Sequence, residues 1–399
     1  MLELDATKAR VRDVIESHAA ELEAISLGIH GRPELNFHEY HAHDLLAGFL
    51  ERKGFTVARG AFEMPTAFCA VAGSGSPTIA VLCEYDALPE IGHACGHNLI
   101  AASGVAAGLA LKETLGEENG TIIVLGSPAE EGGGGKVFMV ERGAFEGVDA
   151  AMMLHPSPND GAWPSVNAIQ TMEVEYFGRN AHAAARPHEG INALDAMIAA
   201  YNAISMLRQQ MPTDARVHGV ITKGGVKPNI IPDHTAAEFY VRAADDTKLE
   251  DLKRRVLACF EGAATATGCR LDVRWTGRPY SNLTTNTPIA ECYVENARRL
   301  GKTIPARGQG AGGGPSTDMG NVSHVVPSIH PMFAIPTEAG NHTPGFTAAA
   351  ATAEAHAAMR TAATAMAMTA LDLYLRPDLL EAAREQFHAA HAELAGTEA

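Results

Sequence analysis

Thr78-Ile79-Ala80-Val81-Leu82-Cys83 is an uninterrupted apolar run that ends in Glu84-Tyr85-Asp86. Continuous apolar runs of this length are typical of strands that are covered on both faces, as the strands of parallel sheets are. The same pattern recurs twice, in Thr121-Ile122-Ile123-Val124-Leu125 before Glu130-Glu131 and in Ala150-Ala151-Met152-Met153-Leu154 before His155. Segments 99–115 and 136–143 have the composition of helices. The alternation of strand and helix predicts an α/β fold with a mostly parallel sheet flanked by helices.

A glycine-rich segment after the first strand carries a thiol and two imidazoles, in Gly92-His93-Ala94-Cys95-Gly96-His97-Asn98. A thiolate and a neutral imidazole both suit zinc or a similar divalent ion. The alternative is a buried cysteine in a turn, and this segment alone does not separate the two. Ligands bind beyond the carboxyl ends of parallel strands. That edge would bring Glu130, Glu131 and His155 to the same place, which favours a metal centre.

The composition excludes several classes of partner. Lys and Arg number 31 against 47 Asp and Glu, and the net charge of -16 argues against nucleic acid and anionic membranes. No apolar run is long enough to span a bilayer, and the first residues lack the pattern of a signal peptide. Six cysteines in 399 residues are too few for a disulfide framework. We therefore expect a cytoplasmic protein with a small, soluble substrate.

The order of elements changes at Asn167. The segment that follows predicts the order β-α-β-β-α-β, which is that of a ferredoxin-like unit. We therefore predict a catalytic domain in two parts, 1–166 and 283–399, and an inserted domain, 167–282, whose edge strands and first helix suit pairing with a second copy. The predicted elements of the insertion are the strands 168–177, 215–223, 234–243 and 270–276 and the helices 190–210 and 246–266.

The last part of the chain adds another imidazole. A predicted strand, 331–335, leads to His342 in Gly340-Asn341-His342. The glycine-rich segment Gly308–Ser316 lacks the lysine and the spacing of a P-loop, so we exclude nucleotide binding. Segments 5–29 and 347–374 have apolar positions at helical spacing, and each predicts one long helix.

These segments supply enough donors for two metal ions. Five ligands suffice if Cys95 bridges the ions, and Glu130 is then available as a general base on a water whose pKa the ions lower. Asp86 and Glu84 suit hydrogen bonds to a ligand histidine, which would fix its tautomer. The five candidate ligands are Cys95, His97, Glu131, His155 and His342.

Three polar residues of the insertion have a bland alternative. His182 lies where a turn or helix would accept glutamine equally well. Asn229, in a loop between two prolines, either holds a polar group of a substrate or closes a turn. Arg242 ends a strand, where a lone arginine is usually a solvated edge charge.

The motifs resemble the aminoacylase/carboxypeptidase family of dinuclear metal amidohydrolases, and within it most closely the branch of the p-aminobenzoyl-glutamate hydrolases and aminoacylase-like dipeptidases. The resemblance covers nearly the whole chain. It is carried by Gly92–Asn98, Pro128–Gly135, Met153–Pro156, Ala181–Ala183 with Arg186–Ala193, and Ser316–Gly320.

The resemblance implies a zinc-peptidase-like fold with an inserted dimerisation (lid) domain, and a homodimer. It implies two divalent ions per subunit, zinc or manganese, with Cys95 as the bridging ligand, the other four candidates as terminal ligands and Glu130 as the base. His182 would reach the site of a neighbouring subunit and polarise the scissile carbonyl. The positions that hold a substrate carboxylate in relatives correspond to Asn229, Arg242 and Arg278.

Two departures from the family pattern limit this transfer. Glu84 stands where many relatives have a metal-ligating histidine, so no histidine of that strand can ligate here. Asn98 replaces an aspartate of the auxin-conjugate and hippurate hydrolase branch, which weakens the transfer of those substrates. We expect hydrolysis of the amide bond of a small N-acyl amino acid, an aminobenzoyl-glutamate-like conjugate or a dipeptide. The alternative is a catalytically silent binding or assembly subunit on the same fold.

Overall fold

The computed structural model of the protein describes residues 2–116, 118–308 and 314–396. These residues form two compact units. Apart from the undescribed residues, the first unit contains Met1–Pro164, Leu283–Gly310 and Asp318–Ala399, and the second contains Ser165–Asn282 and Ala311–Thr317. Residues 309–313 of the glycine-rich segment lie outside the described part of the chain.

The first unit begins with helices, which are followed by alternating strands and helices as the sequence predicts. Its elements up to the second unit are α1 (Leu2–Ser17), α2 (Ala19–His30), α3 (Tyr40–Arg52), β1 (Thr56–Arg59), β2 (Phe68–Ser74), β3 (Thr78–Glu84), α4 (His97–Thr114), β4 (Gly120–Ser127), α5 (Gly135–Glu141), β5 (Ala150–Met152) and β6 (His155–Ser157).

The second unit is an antiparallel sheet with two helices. Its elements are β7 (Ala168–Phe177), α6 (Ala193–Leu207), β8 (Arg216–Lys223), β9 (His234–Ala243), α7 (Asp246–Thr267) and β10 (Arg270–Tyr280). The strand order is β10-β7-β9-β8, which is the interleaved order of a ferredoxin-like unit. Asn192 and Asp245 cap the two helices through their side chains, so each helix begins at a residue suited to that role. The predicted β-α-β-β-α-β order is confirmed.

The chain then returns to the first unit. Its remaining elements are α8 (Thr287–Arg299), α9 (Met319–Ser323), β11 (Ser328–Ile329), β12 (Met332–Ala334), α10 (Pro344–Ala349), α11 (Ala353–Leu375) and α12 (Pro377–Gly396).

The central sheet of the first unit has the strand order β1-β2-β4-β3-β5-β11. The four strands β4, β3, β5 and β11 pair in parallel, whereas β1 and β2 are antiparallel at one edge. The predicted mostly parallel sheet is therefore confirmed. β6 and β12 form a separate parallel pair, which continues beyond the ends of β5 and β11.

Helix α4 forms the centre of the hydrophobic core. Its side chains from His97 to Leu111 are buried, and it packs against β3 and against α1, α2 and α11. Alanine and glycine predominate along it, and such small side chains let neighbouring elements approach closely. The first residue of this rigid helix is one of the candidate ligands, so the core itself fixes the position of His97.

Both predicted long helices are divided. The segment 5–29 breaks at His18, whose Nδ1 lies 3.0 Å from the carbonyl oxygen of Val14 and competes for that acceptor of the helix. The segment 347–374 breaks before Thr352, whose side chain accepts a hydrogen bond from the backbone N–H of Ala355 and so starts a new helix. Apolar periodicity continues across both breaks and therefore did not reveal them.

No helix in the described part of the chain has the length and apolar character needed to cross a bilayer.

Candidate metal centre

Polar residues follow three neighbouring strands at one edge of the central sheet. β3 ends at Glu84, β4 ends shortly before Glu130-Glu131, and β5 ends shortly before His155. β3 pairs in parallel with both other strands, so the three carboxyl ends point the same way. The geometry is the one in which parallel sheets build their sites.

His97 is fixed at the first position of α4. Gly96 before it has a φ of 72°, and a β carbon there would lie 2.6 Å from Cγ of Pro156, so only glycine fits this turn. Nδ1 of His97 lies 3.1 Å from Oδ1 of Asp86. Nε2 then faces Oε1 of Glu84 at 3.4 Å and Oε1 of Glu131 at 3.8 Å.

Three groups of ligand atoms meet here, each within 4.8 Å. They are Cys95 with His97 and His155, Cys95 with Glu131 and His342, and His97 with Glu130 and Glu131. Cys95 belongs to two of the groups, and the two oxygens of Glu131 face different histidines, since Oε2 lies 3.6 Å from Nε2 of His342. This arrangement has room for two neighbouring cations.

Unsatisfied atoms provide a test of whether cations fit. Nε2 of His97, Oε1 of Glu84 and Oε1 of Glu131 are buried and have no hydrogen-bond partner in the structure. Buried polar atoms without partners are costly and uncommon. Two of these three belong to candidate ligands, so the residues present fit a divalent cation.

The charges of the cluster point in the same direction. Burial raises the pKa of the Cys95 thiol, so its thiolate requires a neighbouring cation. Burial lowers the pKa of His155 to about 3, so this imidazole is neutral, and its Nδ1 contacts the carbonyl oxygen of Pro156 at 2.7 Å. The other ring nitrogen of His155 is therefore the one available as a ligand.

Glu130 has the environment of a proton acceptor. Its side chain is 8% exposed, and burial together with Glu84 and Glu131 raises its pKa well above the ordinary value. Glu130 and Glu131 lie in a tight turn, in which a β carbon on Gly135 would come 1.9 Å from the carbonyl oxygen of Pro128. The glycines that follow the two carboxylates are required by this close approach.

Three groups around the centre were not singled out from the sequence. Nζ of Lys136 lies 2.6 Å from Glu84 and 2.7 Å from Asp318, and all three side chains are fully buried. Burial opposes the charge of Lys136, but Asp318 and Glu84 outweigh it and raise its pKa. His330 packs edge-on against His155 at a ring distance of 5.7 Å. Lys136 and His330 have no signal in the sequence beyond their places after buried strands.

The remaining predicted site residues lie in the second unit. His182 is exposed, and its Nδ1 accepts hydrogen bonds from the backbone N–H of Ala184 and Ala185, so the proton of the neutral ring is on Nε2. Nη1 of Arg242 donates to Oγ of Ser316 at 2.8 Å. Asn229 and Arg278 are exposed. None of the ligand groups found among the described residues includes these four.

The comparison with protein families agrees with this geometry. Residues 81–367 match the peptidase family M20/M25/M40. The chain belongs to this family. Its M20-type motifs are the strand ends, the cysteine segment and the glutamate pair described above, together with the histidine of residue 155.

Relatives resemble the chain over nearly its whole length. The Xaa-Arg dipeptidase of Mus musculus is 44% identical over 400 residues, which cover 96% of this chain and 93% of the relative. A p-aminobenzoyl-glutamate hydrolase chain of Escherichia coli (strain K12) is 30% identical over 94% of both chains. A dinuclear metal binding peptidase of the M20 family from Bacillus subtilis has the same fold, with a TM-score of 0.70 at 22% identity over 90% of this chain and 99% of that one.

Membership in the M20/M25/M40 family confirms the predicted class. The protein is a metal-dependent hydrolase of amide bonds, and its fold is that of the metallopeptidases it resembles. None of the relatives named above is described as a binding or assembly protein, so the alternative of a silent subunit has no support.

Proposed function

We propose that this M20-family protein is a dinuclear metal dipeptidase that releases a basic amino acid, above all arginine, from the C-terminus of a dipeptide. The observation that supports it best is that two ligand groups share Cys95, because a bridging thiolate holds two ions together. The substrate is suggested by the mouse Xaa-Arg dipeptidase, which is similar along both chains. The net charge of -16 favours a cationic substrate.

We assign one ion to Cys95, His97 and His155 and the other to Cys95, Glu131 and His342. Ions bound there supply Lewis acidity, which lowers the pKa of a water and polarises an amide carbonyl. Thiolate and imidazole ligands suit zinc, and carboxylate ligands also suit manganese. We therefore propose one of these two metals.

Glu130 acts as the general base in this proposal. Its carboxylate accepts a proton from the attacking water and returns it to the nitrogen of the leaving amino acid as the amide C–N bond breaks. A raised pKa makes the carboxylate a stronger acceptor at neutral pH, and the burial of Glu130 excludes bulk water from the transfer.

We propose that His182 of a partner subunit donates a hydrogen bond to the carbonyl oxygen of the substrate. The two backbone N–H groups that bind its Nδ1 leave the proton on Nε2, which is the state that a donor needs. We assign the substrate carboxylate to Asn229, Arg242 and Arg278, whose side chains supply amide and guanidinium donors.

The partner subunit follows from a proposed homodimer through the second unit. β8 is the edge strand of its sheet, and Val220 and Ile221 on it are 61% and 40% exposed. On α6, Ile198 and Met206 are 47% and 69% exposed. A second copy would cover these apolar side chains and the strand edge. Light scattering of the purified protein tests this proposal, and a monomer at micromolar concentration contradicts it.

Hydrolysis assays on the purified chain test the substrate. The protein is freed of metal, reloaded with zinc or manganese, and offered Ala-Arg, Ala-Lys, Ala-Glu, N-acetyl-arginine and p-aminobenzoyl-glutamate. We expect a kcat/KM for Ala-Arg at least about tenfold above that for Ala-Glu, and no turnover without metal. Equal values would contradict the assigned substrate. The cytoplasmic location expected from the sequence stays a prediction.

A further inference from the structure

The turn that carries Glu130 and Glu131 is held at three points by buried carboxylates. Its backbone N–H groups donate from Ala129 to Glu39 at 2.9 Å, from Glu131 to Asp86 at 2.9 Å and from Lys136 to Asp318 at 2.8 Å. Asp86 also contacts a candidate ligand, and Asp318 is paired with a buried lysine. Glu39 contacts neither, so its bond to Ala129 has no evident purpose other than to hold the turn.

Glu39 is a fully buried acceptor that joins three segments. Its Oε1 accepts from the backbone N–H of Phe37 and of Ala129, both at 2.9 Å, and its Oε2 accepts from the hydroxyl of Thr66 at 2.9 Å. Three donors thus converge on one side chain that has only acceptors to offer, and its position is fixed from both oxygens.

A structural role in the helix that follows does not explain this side chain. Glu39 is the N-cap residue of α3, but its carboxylate makes no capping hydrogen bond. Glu34 caps the helix instead, because its carboxylate accepts from the backbone N–H of His41 and of Ala42. The side chain of Glu39 is therefore free to bind the turn.

Ala129 transmits the contact to Glu130. Its φ of 58° lies in the left-handed region, which alanine adopts only when its surroundings impose it. Its N–H is held by Glu39, and its carbonyl oxygen accepts from Gly133 and Gly134 at 3.0 and 2.8 Å. Both peptide groups of Ala129 are fixed, and together they set the direction in which the next side chain leaves the backbone.

We infer that Glu39 is a positioning residue for Glu130, acting through the backbone N–H of Ala129. The inference rests on the proposed function, in which Glu130 is the general base. The hydrogen-bond geometry of Glu39 carries the effect, so a side chain that reproduces the geometry without the charge preserves it. A shift of the base by about 1 Å lowers the rate of the chemical step by about a hundredfold.

Three variants of the metal-loaded enzyme test the inference. Glu39→Asp shortens the side chain, and we expect kcat to fall about 10- to 100-fold with KM within about twofold and the metal content unchanged. Glu39→Gln can direct its amide oxygen to the two N–H groups and its NH2 group to Thr66, so we expect kcat within about threefold of wild type. Amide hydrogen exchange of the peptide 126–137 should be faster in Glu39→Asp and unchanged in Glu39→Gln.

Glu34→Asp is the matched control. It shortens a carboxylate that binds two backbone N–H groups of the same helix but does not touch the turn, so it should lower the melting temperature and leave kcat unchanged. Equal falls in kcat for Glu34→Asp and Glu39→Asp, a wild-type kcat for Glu39→Asp, or a kcat for Glu39→Gln as low as that for Glu39→Asp would overturn the inference.

Two further variants keep the test decisive. If Glu39→Asp does not fold, Thr66→Val removes the donor to Oε2, and we expect kcat to fall about two- to tenfold; an unchanged kcat overturns the inference. Glu130→Gln separates it from the proposed function. An active Glu130→Gln contradicts the proposed base, whereas an inactive Glu130→Gln beside a fully active Glu39→Asp contradicts only the inference about Glu39.

Discussion

Nδ1 of His97 donates to Oδ1 of Asp86 over 3.1 Å, while Oδ2 of the same carboxylate accepts the backbone N–H of Glu131 at 2.9 Å. One side chain thus orients two candidate ligands. In this tautomer the lone pair of His97 is on Nε2, which faces the centre.

Replacing Asp86 by asparagine should weaken metal binding. The side-chain NH2 of asparagine favours the opposite tautomer of His97, so we expect the metal dissociation constant to rise about 10- to 100-fold. Competition with a chromophoric chelator measures it. Asp13→Asn on the solvent-exposed face of α1 is the control and should bind metal as wild type does; equal affinities of the two variants would contradict the role of Asp86.

The bridging role of Cys95 predicts a change in metal stoichiometry. Serine retains the size of cysteine but is a far weaker ligand than a thiolate, so Cys95→Ser should lose at least one of the two ions under dialysis. Metal analysis of the dialysed protein measures this loss. Cys259→Ser, at a site in α7, controls for the loss of a thiol. Tight retention of two ions by Cys95→Ser would show that the bridge is wrongly assigned.

Glu39 gives the metal-free protein a stability that depends on pH. Burial, reinforced by the charge of Asp86, raises its pKa from 4.5 to about 7. A carboxyl with a higher pKa in the folded state binds its proton more tightly there, so its stabilising contribution is complete below pH 4.5 and is lost as the pH rises through 7. The full loss is at most about 3 kcal/mol.

Glu39→Gln removes this titration. Its free energy of unfolding relative to that of wild type should rise between pH 4.5 and 7 and level off above about pH 8. Urea denaturation of both metal-free proteins across this range measures the difference. A difference that does not vary with pH would mean that Glu39 titrates at its ordinary value.

Subunit complementation tests the assignment of His182. In a mixed dimer of His182→Ala and Glu130→Gln, one site receives an intact Glu130 from one chain and an intact His182 from the other. Random mixing of the two inactive variants should therefore restore about one quarter of wild-type activity. Glu130→Gln mixed with Cys95→Ser is the control, because both lesions then affect residues of the same unit and no intact site forms. No recovery in the first mixture would place His182 outside a partner's site.

The strands and helices of both units could be predicted because their burial patterns are periodic. The run 78–83 is apolar throughout because β3 is covered on both faces, and the segment 168–177 alternates because only one face of β7 is buried. The breaks at His18 and Thr352 could not be predicted in the same way, since they depend on single hydrogen bonds of side chains rather than on periodicity.

The candidate ligands follow strand ends, which is why the sequence indicated them. Lys136 and Glu39 did not stand out, because a lysine in the first turn of a helix and a glutamate before a helix usually face solvent. Their roles arise from contacts with Asp318 and Ala129, which are distant in sequence. Such partners are specified by the tertiary fold, and a single sequence carries no local sign of them.

The central claim is that Glu130 supplies base catalysis at a centre that binds metal without it. The most direct test is to measure metal content and hydrolysis of Ala-Arg for Glu130→Gln in parallel with wild type. The account predicts unchanged metal content and a fall in kcat of about a thousandfold. A Glu130→Gln enzyme that keeps its metal and turns over at a rate near that of wild type would contradict the account.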